Sequence, residues 1–211
     1  MQRSVDRIYT THVGSLARPP ALLDLMRAAA TGQEVDPADL AAAERSAVAD
    51  VVARQRSAGL DVISDGEQSK TGFFAYVGQR LTGFEPRPGR GTLDKFQAEV
   101  DSFPEYHLFE SVTPPRDAVL LPGVISHATN IVEHPDTIAD RIVRFAELVG
   151  RENVVASADC GFSSQATYTP EIHPRIVWAK FEALAEGARR ATARLWARRS
   201  ASRAARRGLR Y

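Results

Sequence analysis

The chain has 211 residues, 44% hydrophobic and 25% charged, a composition that excludes a disordered or fibrous protein and suffices for one domain with a real core. No apolar run approaches the roughly 18 residues of a membrane span, and the polar stretch from Met1 to Thr10 lacks the apolar centre of a secretory signal, so a cytoplasmic location and no membrane partner are expected. The net charge of +1 is uneven: Arg198, Arg199, Arg203, Arg206, Arg207 and Arg210 follow residue 196 with no acid among them, which leaves residues 1–196 at −5.

The chain opens with Thr10-Thr11-His12-Val13-Gly14-Ser15-Leu16, which reads as a short strand entering a Gly-Ser turn, and Arg18-Pro19-Pro20 stops any extension. A short helix is predicted over 21–30. A long one starts at Asp36-Pro37, with Asp as N-cap and Pro in the first turn, and Gly59 stands where a C-terminal cap belongs. Leu60 to Ile63 follows as a strand and Ser64-Asp65-Gly66-Glu67 as the loop after it. The middle, Glu85 to Val119, carries five prolines and no clear helix. Near the C-terminus the pattern recurs. His134-Pro135 opens a helix with Ile138, Ile142, Phe145 and Leu148/Val149 at helical spacing, Gly150 ends it, Asn153 to Ser157 is β-rich, and Asp159-Cys160-Gly161-Phe162 is the next loop. A last helix starts at about Pro174 and passes Trp178, Phe181, Leu184 and Ala188. Roughly five strands are predicted, near 10–13, 60–63, 96–100, 119–125 and 153–157. Both polar loops follow strand ends, which is where (β/α) barrels carry their active sites. The division expected is a domain over 8–196 and a basic C-terminal tail over 197–211, which reads as a solvated helix end or a frayed terminus.

Cys160 is the only cysteine, so no intrachain disulfide forms. By itself it reads as a buried small hydrophobe, a metal ligand or a nucleophile.

Four blocks occur in a recognisable order. They are Thr11-His12-Val13-Gly14-Ser15 with Arg18-Pro19; Gln55 and Ala58 through Glu67, continued by Phe73, Tyr76 and Gly83-Phe84; Leu121-Pro122-Gly123-Val124 with Asn130 and Glu133; and Asp159-Cys160-Gly161-Phe162 with Trp178, Lys180 and Glu186-Gly187-Ala188. Over residues 8–196 they resemble the catalytic half of the cobalamin-independent methionine synthases, and more closely its short single-domain relatives. The resemblance implies an α/β fold of the TIM-type (β/α) barrel class. It also implies zinc-dependent methyl transfer from a methyl donor such as a methylated folate to a small-molecule thiol, homocysteine becoming methionine. Zinc makes a thiol nucleophilic by holding it as thiolate at neutral pH.

Residue by residue, the resemblance makes Cys160 the last zinc cysteine, Glu67 the carboxylate that receives the substrate ammonium, and Ser15 the position that receives the substrate carboxylate. Ser15 and Asp65 also read as plain turn formers. His127, three residues before Asn130, is placed as the proton-donating histidine by one register and missed by one residue in the other. His12 either lines the pocket or is a structural histidine.

The family's His-x-Cys pair is absent, so the second thiolate cannot exist in this chain. The stretch that should hold it and the ligand Glu is missing between Pro114-Pro115-Arg116 and Gly123. The barrel is therefore expected to be incomplete, short of central strands, on the order of three of eight. The zinc site is expected to be incomplete and turnover by this chain slight or nil. Exposed strand edges would favour rearranged pairing, a partner chain or a homo-oligomer. Two other readings remain: a non-catalytic amino-acid or thiol binding remnant, and another zinc-dependent thiol alkyltransferase. A nucleic-acid partner is not expected, because no reading motif accompanies the arginines.

Overall fold

In a computed structural model, the structure describes residues 3–72, 76, 77, 80–83, 115 and 118–208, with side chains through 197. The expected strand at 96–100, and Phe73 and Phe84, lie outside the described residues. In chain order the elements are β1 (Tyr9–Thr10), α1 (Pro20–Ala30), α2 (Pro37–Ser57), β2 (Gly123–Ile125), α3 (Pro135–Val149), a 3-10 turn (Arg151–Asn153), β3 (Val155–Ala158) and α4 (Pro174–Gly208). No described helix is long and apolar enough to cross a membrane.

The helices begin where their capping chemistry dictates. Asp36 accepts from the Ala38 N–H ahead of α2, at 2.8 Å, and His134 Nδ1 accepts from the Asp136 N–H ahead of α3, at 3.2 Å; proline takes the first helical position after each. Gly59 and Gly150, both with φ near +90°, end these helices as expected. α4 runs past residue 196 without a break, so the backbone of the basic segment is helical as far as Gly208.

The three strands form one parallel sheet in the order β1-β3-β2. The 60–63 stretch adds itself beside β1 through a parallel bridge between Val62 and Thr11, with Asp61 and Val62 N–H groups donating to Thr10 O. Leu120 bridges Val154, and the register slips between Gly123 and Ile125, so the expected strand over 119–125 is realised as a bridge and a three-residue strand. The result is an arc of four parallel segments: 60–63, β1, β3, β2. The first and last strands of the chain are neighbours, the pairing that closes a (β/α) barrel. Segment 60–63 and β2 stand at opposite ends of this arc, and no pairing between them is found among the described residues. A complete barrel is not seen among those residues.

Helices cover one face of the arc. Ile138, Ala139, Ile142 and Ala146 of α3 and Phe181, Leu184, Ala188 and Ala191 of α4 pack on Val124, Ile125, Val154, Ala156 and Ala158. α3 and α4 cross closely because position 187 is glycine: a Cβ there would lie 2.5 Å from Ile138 Cγ2. A smaller cluster of Leu22, Met26 and Ala47 joins α1 to α2.

Candidate functional site

Four loops leave the C-terminal ends of the parallel segments: 13–18 after β1, 64–70 after the 60–63 stretch, 126–133 after β2, and 159–163 after β3. The backbones of the 13–18, 64–70 and 159–163 loops are tied directly. Leu16 N–H donates to Gly66 O at 2.9 Å, and Phe162 N–H donates to Ser15 O at 2.8 Å. Such closeness needs glycine: a Cβ on Gly14 would come within 2.7 Å of Gly161 N, and one on Gly161 within 2.5 Å of Ser15 N. Ser15 is thus buried, with its carbonyl committed to the neighbouring loop.

Arg18 locks the assembly from within. Its guanidinium, 6% exposed with the rest of the residue, donates to four carbonyls: Glu67 O (2.9 Å), Lys70 O (2.5 Å), Gln68 O (3.2 Å) and Ser163 O (3.3 Å). The planar fork suits this, since one side chain reaches carbonyls of two loops at once. Burial lowers the Arg18 pKa, and the charges of Glu67 and Glu171 oppose that shift. In the sequence Arg18 reads as a stop to strand extension and as part of the first motif block, with no role in the site. The available signal was its place three residues after Ser15 and immediately before two prolines.

Glu67 sits on a strained backbone. It is the one non-glycine residue at positive φ (+53°) among the described residues, directly after Gly66 at +61°. Asp65 Oδ1 accepts from Glu67 N–H at 2.9 Å, so the turn role expected for Asp65 is realised. The Glu67 carboxylate is partly exposed and pairs with Lys70 Nζ at 2.8 Å; that hydrogen bond is the main reason the Lys70 pKa is raised.

His127 and Asp159 meet across β2 and β3. Asp159 Oδ1 accepts from the His127 backbone N–H at 2.6 Å and lies 2.9 Å from His127 Nδ1. Asp159 N–H is held by Ile125 O, and Gly123 permits the approach, because a Cβ there would lie 2.5 Å from Asp159 Cα. Next to Asp159, Cys160 is exposed and not a buried packing residue. The loop that carries His127 is anchored from behind: Glu133 accepts from Ser126 N–H at 2.7 Å, and the fully buried Lys180 of α4 pairs with Glu133 at 2.9 Å and donates to Ile131 O. Burial tends to raise the Glu133 pKa, but the Lys180 and Ser126 hydrogen bonds hold it below the usual carboxylate value.

His12 is structural. It is 2% exposed, its ring lies 5.5 Å from Phe162 and 5.0 Å from Phe181, and neither ring nitrogen has a hydrogen-bond partner. Burial pushes its pKa down to about 4, with the Ser15 and Gly14 backbones and Glu67 offsetting only part of this. It lies buried against Phe181 of α4.

The structure therefore brings Ser15, Glu67, Cys160 and the His127–Asp159 pair to one end of the arc, on adjacent loops. Two cavities border other parts of these loops and of the sheet. One of about 240 Å³ lies against Leu16, Arg18, Gln68 and Phe162 on the helix side, and one of about 540 Å³ adjoins Arg7, Asp61, Glu182 and Thr192. None of Glu67, His127 or Cys160 lines either of them.

A catalytic zinc needs about three protein donors around one point. Among the described residues no group of three His, Cys, Asp or Glu side chains is placed to hold a metal ion, and the chain offers Cys160 as its single sulfur. These residues do not fit the zinc centre that the sequence resemblance implies.

Residues 8–104 match the family model described as the catalytic domain of cobalamin-independent synthase. Among solved structures, the fold is similar to that of a B12-independent methionine synthase from Shewanella sp. W3-18-1 in complex with selenomethionine. The TM-score is 0.61 at 12% identity, over 90% of this chain and 99% of that one. No curated protein matches the sequence.

Proposed function

We propose that this chain, a shortened relative of the cobalamin-independent methionine synthases, uses the C-terminal face of its sheet to bind a thiol amino acid of the homocysteine–methionine type. The observation that carries this reading is the convergence of the 13–18, 64–70 and 159–163 loops, tied by Arg18 and by the Gly14–Gly161 approach. They bring Glu67, which this reading takes as the ammonium acceptor, and Ser15, which it takes as the carboxylate-receiving position, to the same end of the arc as Cys160. The selenomethionine in the Shewanella enzyme is a ligand of the same chemical class. Glu67 is partly exposed and its present partner, Lys70, is a flexible side chain that a substrate ammonium can replace. His127 is the proton-handling group of this face.

The family's activity is methyl transfer to a thiol, and homocysteine with a folate-type methyl donor is its expression in this reading. The described residues do not supply a zinc donor set, so no step is routed through a metal. The chain is accordingly expected to bind the amino acid and to methylate it slowly or not at all on its own.

The test is a thermal-shift titration of the purified chain with homocysteine and with methionine, beside metal analysis and a methylation assay. Saturation at one hundred times Kd stabilises by about 2.7 kcal/mol, and Glu67→Gln should remove most of that gain. Absence of a shift at millimolar ligand would refute the binding reading. Stoichiometric zinc with rapid turnover would refute the expectation of slight activity.

A further inference from the structure

We infer that the cavity between α2 and α4, behind Arg18, is a second binding site that takes a free α-amino acid with an apolar side chain, and that its occupant firms the loop cluster. This inference does not rest on the loop-face reading above, since none of Glu67, His127 and Cys160 lines the cavity.

The cavity measures about 240 Å³, below the roughly 300–1,000 Å³ of sites for drug-sized ligands, so it suits a small metabolite. Its body is apolar: Leu16, Val51, Phe162 and Val177 are buried and Trp178 is partly so. The charges stand at the rim, on exposed positions of α2. Asp50 and Arg54 are one helical turn apart, where a carboxylate and a guanidinium can pair. Here they do not. The Arg54 guanidinium lies over the Trp178 ring, 4.2 Å from its centroid, and among the described residues neither Asp50 nor Arg54 has a salt-bridge or side-chain hydrogen-bond partner. A free carboxylate and a free guanidinium at the mouth of an apolar cavity match the ammonium and the carboxylate of an α-amino acid whose side chain enters it. A simple amine would leave Arg54 unanswered, and a simple carboxylic acid would leave Asp50 so. The wall also has one hydrogen bond still to gain when a donor enters. Gln68 is 1% exposed, its Nε2 donates to Leu16 O and Gly66 O, and its Oε1 is buried without a partner.

The inner wall is also the lock of the loop cluster. Arg18 lines it while donating to carbonyls of the 64–70 and 159–163 loops, and Leu16 and Phe162 line it while their N–H groups bridge the loops. An occupant packed on these residues gains contacts that the empty cavity lacks. It therefore favours the closed cluster over an opened one by its differential affinity for the two, and firms the loops that carry Ser15 and Glu67.

The experiment is calorimetric titration of the full chain with L-leucine, whose side chain is apolar and carries no sulfur. Leucine should bind. Leucinamide, which lacks the carboxylate, and isocaproate, which lacks the ammonium, should each bind at least about threefold more weakly. Asp50→Asn and Arg54→Gln, both at exposed positions and so expected to fold, should each weaken leucine by about three- to tenfold, while Glu67→Gln leaves it unchanged. Hydrogen exchange at the Leu16 and Phe162 amides should slow when leucine is bound. No binding at millimolar leucine overturns the inference, as does a loss of less than about threefold in either α2 variant. Leucinamide or isocaproate binding as tightly as leucine overturns the zwitterion class. A loss in Glu67→Gln would put leucine on the loop face, sinking this inference and leaving the loop-face reading standing. Unchanged exchange at both amides under saturating leucine overturns the coupling. If leucine binds as expected and homocysteine does not, the loop-face reading alone falls.

Discussion

Replacing Arg18 with methionine should cost about 4 kcal/mol of folding stability and loosen the loop cluster as a unit. The guanidinium is buried and donates to four carbonyls on two loops that are also joined to its own by two backbone hydrogen bonds and by Gln68 Nε2 donating to Leu16 O. Methionine fills much of the volume but supplies no donor. If water reaches two of the four carbonyls, two stay buried and unpaired at about 1–3 kcal/mol each, giving about 2–6 kcal/mol in all. For a chain of this size about 4 kcal/mol lowers the melting temperature by about 8–16 °C. Arg18→Lys restores charge but reaches fewer carbonyls with its single ammonium, so it should recover less than half of the loss. The assay is urea unfolding of the three proteins with circular dichroism, followed by hydrogen exchange at Leu16 and Phe162, whose N–H groups bridge the loops. A loss below about 1 kcal/mol for the methionine variant, or exchange at those two amides no faster than in the parent, would refute the claim that Arg18 holds the site together.

Lys180→Met should destabilise by about 3 kcal/mol, because it strands the largely buried Glu133 carboxylate. The sign of its pH dependence follows from the lowered folded pKa of Glu133. In the parent this contribution is present above the carboxyl's unfolded value of about 4.5 and is lost as pH falls through the folded one; urea midpoints for the variant should lack that fall. His12 acts in a different window. Its folded pKa of about 4 lies below the ordinary imidazole value of 6.5, so between those values the unfolded chain binds a proton that the folded chain refuses. Stability should therefore fall by about 3 kcal/mol as pH drops from 6.5 to 4, and His12→Phe should flatten that slope and stabilise the protein near neutrality. An unchanged slope in that variant would remove the assignment. Gly123→Ala should cost about 1–3 kcal/mol through overpacking against Asp159, and should weaken the His127–Asp159 contact, seen as a change in the NMR signals of the His127 ring.

Much of this protein could be read from its sequence, where local chemistry decides. Asp36-Pro37, His134-Pro135, Gly59 and Gly150 start and stop helices by capping and by φ, which depend on neighbours in the chain alone. The four motif blocks likewise marked loops at strand ends, and Ser15, Glu67 and Cys160 do lie on such loops. Sequence could not decide between the roles open to His12, because its burial comes from Phe162 on the loop after β3 and Phe181 on α4, both far along the chain. Nor could it find Asp159 as the partner of His127, a contact across 32 residues that a glycine at 123 makes room for, or Arg18 as the centre of four carbonyls. The single cysteine was enough to rule out a two-thiolate metal site. Only the tertiary structure, by setting β3 between β1 and β2, gathered the loops that remain into one face, because parallel pairing aligns the C-terminal ends of segments that lie far apart in the chain.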